Sequence, residues 1–295
     1  MMAKICIKIF IAALGLVVLG CKSPLPIQTV DREEPSLEKI ETKVEPKISN
    51  PHHSKDQIIS YCQKELSELP GQKPDAEVLR AVCNQVELLP NCYSSQSRPI
   101  FHFDRLSRDK TAEKRILTLA LIHGDEAPSG TVARSWMERL ERLDPRNRWR
   151  VLPIVNPDGL KNKTRVNVNG VDLNRNFPTE DWTNSALKHW RVEKKADPRK
   201  YPGSGPASEP ETQCLIKHFK DFNPDFIISI HTPYGVLDFD GPRMSFPKFR
   251  PLPWISLGNY PGSLGRYMWV DQEIPVLTIE LKGSSGIQQL EQFDR

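Results

Sequence analysis

Apolar positions change their spacing several times along this chain, and each change marks an element. From Asp56 to about Leu89 they recur at helical intervals, first Ile58, Ile59, Cys62 and Leu66, then Val78, Leu79, Val82 and Val86. Pro70 and Gly71 separate the two runs, so the pattern predicts a helical hairpin, either an appendage packed on the main domain or a small recognition module. Past Pro90 short apolar runs alternate with amphipathic ones. Residues 99–103 and 115–122 read as strands, the second apolar on both faces, as a central strand of an α/β sheet must be. Residues 128–143 predict a helix, with Pro128 in its first turn and Val132, Trp136, Leu140 and Leu143 on its buried face. Residues 149–155, 226–230 and 275–281 read as further strands. Residues 210–219 read as a helix capped by Ser208, with Glu211 completing a capping box. Alternation of this kind predicts an α/β three-layer sandwich, with a mixed, mostly parallel central sheet flanked by helices and a small helical segment ahead of it.

Residues 1–55 follow neither rhythm. Lys4 and Lys8 precede an apolar stretch, residues 9–19, that is too short to span a bilayer of about 30 Å, which takes roughly 20 residues. This is the layout of a secretion signal. The run Val18-Leu19-Gly20-Cys21 resembles the lipobox of bacterial lipoproteins, which implies cleavage ahead of Cys21, its acylation, and anchoring to a membrane in the cell envelope, facing the periplasm. The alternative is an ordinary signal peptide that ends in cysteine. Residues 21–55 carry Pro24, Pro26, Pro35, Pro46 and Pro51 among alternating charges and no Phe, Trp or Tyr, a composition that cannot bury a core and suits a flexible tether. The expected order is therefore signal (1–20), tether (21–55), helical hairpin (56–89) and main domain (90–295).

Charge excludes one class of function. Losing Lys4 and Lys8 with the signal lowers the net charge of +4 by two, and no basic stripe interleaved with aromatics appears, so a nucleic-acid partner is set aside. With Cys6 removed and Cys21 acylated, Cys62, Cys83, Cys92 and Cys214 remain. They permit two disulfides in an oxidising compartment. Cys62 and Cys83, on the two predicted helices, are the pair the pattern suggests; free buried thiols are the alternative.

Candidate chemistry collects at strand ends. His123-Gly124-Asp125-Glu126 lies where the strand ending at Ile122 gives way to a helix, and His231 follows the buried run 226–230. Ligands gather at the carboxyl ends of strands in open α/β sheets. Two histidines and one carboxylate leave a fourth metal position open to water, the arrangement of a catalytic zinc site, whereas a structural zinc would be closed by four protein ligands.

Asn156-Pro157-Asp158-Gly159, the run 165–178 with Asn174-Arg175, the late His231 and Glu280 within 277–281 extend this pattern. Together with His123 and Glu126 they resemble the zinc carboxypeptidase family over about residues 99–281. Residues 169–178, 207–212, 231–240 and 261–265 are similar to its murein peptide amidase branch. The resemblance implies one Zn2+ per chain held by His123, Glu126 and His231. It makes Glu280 the proton-transfer group, Arg165 the stabiliser of the oxyanion, and Asn174 and Arg175 the grip on a terminal carboxylate; for the residue that caps the substrate Tyr260, before the Pro261-Gly262 turn, is chosen over Tyr234 and Tyr267. Asp125 is expected close behind the ligands, while Asp158, Asn167, Asp172 and Asn176 hold loops together and Glu209 and Glu211 begin a helix. Asp238 and Asp240 either meet the ammonium group of diaminopimelate or lie on a solvated loop. The lysine-rich stretch 183–200 is expected to be a solvated loop beside the groove. The implied substrate is a murein stem peptide, cut at the γ-D-glutamyl–diaminopimelate amide or a nearby C-terminal bond. A zinc deacylase of small N-acyl amino acids and a non-catalytic wall-peptide-binding lipoprotein are the rival readings.

Overall fold

A computed structural model describes residues 53–108, 114–246 and 252–283; the predicted signal, Cys21 and the tether up to residue 52 lie outside the described residues. In chain order the elements are α1 (Lys55–Glu68), α2 (Ala76–Gln85), β1 (Phe103–Arg105), β2 (Arg115–Ala120), α3 (Ala127–Arg142), β3 (Arg148–Leu152), α4 (Pro157–Asn162), α5 (Trp182–Val192), α6 (Pro210–Phe222), β4 (Phe226–His231), β5 (Val236–Asp240) and β6 (Val276–Glu280). The strands form one sheet in the order β1-β3-β2-β4-β6-β5. The inner strands β3, β2, β4 and β6 run parallel, and β1 and β5 close the edges antiparallel.

Period-two alternation sends neighbouring side chains of β2 to different cores. Ala120 joins Val132, Ala133 and Met137 of α3 and the buried residues of α1 and α2, while Leu117 and Leu119 join Leu215, Phe219 and Phe222 of α6 with Phe177. Helices thus cover both faces, which gives the three layers and the mixed sheet that the apolar pattern predicts. α1 begins with a capping box between Ser54 and Gln57, and Asp75 caps α2. Cys62 and Cys83 are bonded with Cα atoms 5.7 Å apart, joining α1 to α2. Cys92 is bonded to Cys214, joining the segment ahead of β1 to α6. The free-thiol alternative therefore does not apply to these four.

Several local expectations need correction. The strand expected at 99–103 begins only at Phe103. Pro99 and His102 make isolated bridges to Tyr93 and Glu87, because the chain turns back through Ser97, which has a φ of 60°. Leu143 ends α3 as its C-cap and is 56% exposed, so the apolar stripe stops a turn earlier, at Leu140. Ser208 does not cap α6. Its hydroxyl donates to Glu209 and accepts from Asn176, so Glu209 takes the cap position without a side-chain cap bond. Within 183–200 the chain forms α5 and a short 3-10 turn instead of a loop, because Trp182 and Ala186 are buried and anchor the helix.

One buried pair gives stability a pH dependence. His102 and His218 meet edge to face, 4.8 Å between ring centroids, with neither residue exposed. Burial, then the Arg150 charge, pushes His102 down to about 4, and burial, then His102 and Arg150, pushes His218 down to about 2. Unfolded, both titrate near 6.5. Since the folded values lie below the unfolded one, the pair's contribution is complete above about pH 6.5 and is lost as the pH falls through about 4. Within that window each pH unit costs about 1.4 kcal/mol per imidazole. The melting temperature should fall between about pH 7 and pH 4.5, and a His102→Gln, His218→Gln double variant should flatten that dependence. Equal slopes in variant and parent would remove the pair as its source.

Candidate active site

β2, β4 and β6 are parallel neighbours, so their carboxyl ends share one edge of the sheet, and three predicted site residues emerge there. After β2, Leu121 turns with a φ of 53° and the chain passes through His123 into α3, whose N-cap is Glu126. His231 ends β4 and Glu280 ends β6, and the two are paired in register. Gly124 is needed at the turn because α4 packs against it: a Cβ there would come within 2.0 Å of the Gly159 backbone.

The three expected ligands converge on one buried point. His123 Nδ1 lies 2.8 Å from Glu126 Oε1, His231 Nδ1 lies 3.0 Å from Glu126 Oε2, and the two Nδ1 atoms are 3.2 Å apart. Each outward nitrogen has its own partner: His123 Nε2 meets Asp172 Oδ1 at 3.1 Å and His231 Nε2 meets the Ser229 hydroxyl at 2.9 Å. An Nε2–H donated to Asp172 leaves the His123 Nδ1 lone pair facing inward, the orientation that a metal-binding imidazole needs. Two imidazole nitrogens and a carboxylate oxygen, all within 4.8 Å of one another, are a donor set suited to zinc.

Charge around the ligands is balanced in layers. Burial alone would raise Glu126, but the two imidazoles outweigh it and hold the carboxyl well below its usual range. Burial would likewise raise Asp172, and Arg165 with His123 pulls it well below that range. Arg165 donates to Asp172 Oδ2 at 3.1 Å, and its Nη1 lies 3.5 Å from Glu126. Glu280 is buried, and its Oε2 accepts the Tyr234 N–H at 3.4 Å. Burial raises its carboxyl above the usual value.

Arg175 follows directly. Its guanidinium carbon lies 4.8 Å from the Tyr260 ring centroid, it makes no ion pair among the described residues, and its buried Nε has no hydrogen-bond partner. The Asn174 side-chain oxygen accepts the Leu264 N–H at 2.8 Å, tying this turn to the segment that carries Tyr260. The three ligands, Glu280, Arg165, Asn174, Arg175 and Tyr260 all line one cavity of about 710 Å³, with Lys194, Arg199 and Lys200 also on its wall.

Two expectations about supporting residues change places. Asp125 does not contact the ligands; on the cavity wall it pairs with Arg199 at 2.8 Å, which engages its carboxylate. Asp172, expected only to hold a loop, is the residue that orients His123. Ser229 was not anticipated, although it lies two residues before His231 on the same strand face. Asp158, Asn167 and Asn176 do brace the loops: Asp158 accepts from Ser94 and Gln96, Asn167 donates to Glu209 and Glu211, and Asn176 donates to Pro202. Asp238 and Asp240 are not on a solvated loop. They belong to the edge strand β5 and line the cavity, and Asp238 is buried.

The chain is similar to several known proteins. A family model described as zinc carboxypeptidase matches residues 77–238, from within α2 to within β5. Murein peptide amidase A of Escherichia coli (strain K12) is 34% identical over 187 residues, covering 60% of this chain and 75% of the relative. The protein of the same name from Vibrio campbellii is 31% identical over 182 residues, covering 58% and 70%. Among solved structures, the murein-tripeptide amidase of Escherichia coli O157 is similar with a TM-score of 0.50 and 29% identity, over 66% of this chain and 82% of that one. Bovine thrombin-activatable fibrinolysis inhibitor, at 18% identity, shares the fold with a TM-score of 0.55 over 80% of this chain and 88% of that one.

Proposed function

The chain belongs to the zinc carboxypeptidase family, and from that premise we propose that it is a zinc-dependent hydrolase of murein stem peptides that cuts the γ-D-glutamyl–diaminopimelate amide. One observation carries the reading: the His123–Glu126–His231 cluster, Glu280 and Arg175 meet in one cavity of a chain 34% identical to a murein peptide amidase.

His123, Glu126 and His231 hold one Zn2+ per chain, which when bound supplies Lewis acidity toward the scissile carbonyl and toward water. Arg175, assisted by Asn174, grips the free carboxylate at the end of the substrate, since a planar guanidinium meets a carboxylate with two parallel bonds. That grip sets the scissile amide beside the catalytic edge of the sheet. Glu280 accepts the proton of the attacking water and returns it to the departing nitrogen. Arg165, held by Asp172, faces the carbonyl oxygen as it gains charge. Tyr260, stacked on Arg175, closes over the bound end and excludes water. Within the same reading Cys21 carries a lipid anchor and the enzyme meets murein in the cell envelope, facing the periplasm; incorporation of a labelled fatty acid that is lost in Cys21→Ser tests the anchor.

Incubating the zinc-loaded protein with defined muropeptides and identifying products by mass spectrometry tests the reaction. Release of diaminopimelate, or of a peptide that begins with it, is expected; a strong chelator should abolish the release and added zinc should restore it. Loss of only a terminal D-alanine would assign the protein to a neighbouring C-terminal bond. Absence of any cleavage, with zinc bound at one per chain, would overturn the hydrolase reading.

A further inference from the structure

Residues 194–200 put three cations on the cavity wall, Lys194, Arg199 and Lys200. Arg199 pairs with Asp125 at 2.8 Å, and Lys200 pairs with Asp197 at 3.3 Å. Lys194 makes no ion pair among the described residues; the carboxylate next to it in sequence, Glu193, lies 3.0 Å from His189 instead. What Lys194 meets is an aromatic ring, with its Nζ 4.6 Å from the Tyr260 ring centroid. Arg175 packs on the same ring at 4.8 Å and likewise makes no ion pair among the described residues. Two cations gathered on one ring repel each other, and the attraction of a tyrosine ring offsets only part of the cost of taking them from water.

The placement of Lys194 is built into the backbone. α5 ends at Val192, and the Lys194 N–H donates to the His189 carbonyl at 3.1 Å. The next two residues, Lys195 and Ala196, have φ of 52° and 53°, the left-handed region that residues with a Cβ rarely adopt. The Ala196 N–H donates to the Trp190 carbonyl at 2.9 Å, and the Trp190 indole N–H donates to the Asp197 carbonyl at 2.8 Å, which closes the turn. A turn held in that region by its flanking bonds fixes the point from which Lys194 leaves, and strain of this kind collects where a binding site uses the placement.

We propose that Lys194 binds a second carboxylate of the substrate while Arg175 holds the terminal one, so that the cavity selects dianionic peptides. This deepens the peptidase reading and rests on it for the placement of the terminal carboxylate. Lying 4.6 and 4.8 Å from one ring centroid, the two cationic groups stand no further apart than about 9.4 Å. A murein stem peptide offers two groups at that spacing. The γ-linkage leaves the glutamyl α-carboxylate free, seven bonds from the α-carboxylate of diaminopimelate, and the distal carboxylate of diaminopimelate lies six bonds from it. At about 1.2 Å of advance per bond in an extended chain, these separations are roughly 8 and 7 Å. Either carboxylate supplies the countercharge that the protein itself withholds from Lys194, through a charge-assisted hydrogen bond.

Binding tests this apart from turnover. Zinc-loaded Glu280→Gln protein is titrated calorimetrically with L-Ala-γ-D-Glu-diaminopimelate, with the same tripeptide carrying isoglutamine in place of glutamate, and with lysine in place of diaminopimelate. Isoglutamine removes the charge of the glutamyl carboxylate and lysine lacks the distal one. At least one replacement should weaken binding about tenfold, the loss expected when a charge-assisted contact is removed, and it thereby identifies the group that Lys194 meets. Adding Lys194→Gln, which keeps the stem of the side chain and removes its charge, should abolish the discrimination, whereas Lys194→Arg should keep it. Equal affinity for the three peptides with Lys194 intact overturns the proposal, and so does discrimination that survives Lys194→Gln. If the wild-type protein cleaves none of these peptides while the discrimination holds, the dianion site stands and the hydrolase reading falls. Cleavage of all three, with equal affinities, does the reverse.

Discussion

Glu280→Gln should lower kcat by about 10³-fold or more while zinc content stays at that of the parent, the range expected when a positioned general base is removed. Glutamine keeps the shape of the side chain and removes its ability to take a proton. Glu280 is not one of the three residues that converge on the metal position, so the variant should still load zinc. Burial already disfavours its charged form, so the neutral isostere should fold at least as stably as the parent. Single-turnover kinetics, metal analysis and a thermal melt on the same preparation separate these effects. Activity within about tenfold of the parent would move the proton-transfer role to another group. A variant that loses zinc instead would place Glu280 among the ligands, against the geometry in which Glu126 occupies that position.

The second large effect is expected at Arg175. Arg175→Ala should reduce kcat/KM on peptides with a free terminal carboxylate by about 10² to 10³-fold, the loss expected when one partner of a buried, charge-assisted pair is removed. The same substitution should matter far less on peptides whose terminus is amidated, since there the parent has no carboxylate to grip. Comparing both proteins on both substrates isolates the coupling between the guanidinium and the carboxylate. Arg175→Lys should recover only part of the loss, because an ammonium is a point charge and cannot make two parallel bonds. A full loss on the amidated peptide would show that Arg175 acts through folding of its turn; its guanidinium packs on Tyr260, and the neighbouring Asn174 is tied to Leu264. A coupling energy close to zero would send the carboxylate to a different partner, for which Lys194, Arg199 and Lys200 are cations available on the cavity wall.

Much of the site was legible because each part is a local pattern. The helix-period runs, the apolar strands and the turn between His123 and Glu126 are short-range features, and in a parallel sheet short-range features already decide which end of a strand a residue occupies. His123, His231 and Glu280 each follow or end an apolar run, so their meeting at one edge needed only that β2, β4 and β6 be parallel neighbours. The motif spanning 165–178 added the loop that brings Arg165 and Arg175 over that edge. Buried strands and amphipathic helices likewise carried the layer order, since each apolar face must find a covering element.

What needed tertiary structure is partnership between residues distant in sequence and lying beside no diagnostic neighbour. Asp172 lies 49 residues from His123, and nothing local distinguishes it from Asp125, which stands next to the ligands in sequence yet pairs with Arg199. The Ser208 cap failed for the same reason: a hydroxyl that could have closed a capping box is engaged by Asn176, 32 residues away in sequence. Asp238 and Asp240 read more readily as a solvated loop in the sequence, whereas the antiparallel pairing of β5 with β6 places both on the cavity wall. By itself, then, the sequence determined the central strands, the main flanking helices, the layered fold and the residues that converge on the metal position, because spacing along the chain encodes which face and which end of an element a side chain occupies. Only the tertiary structure decided which groups orient those residues and which charges are left without partners, because strand order and register, set by packing of the whole sheet, choose the neighbours.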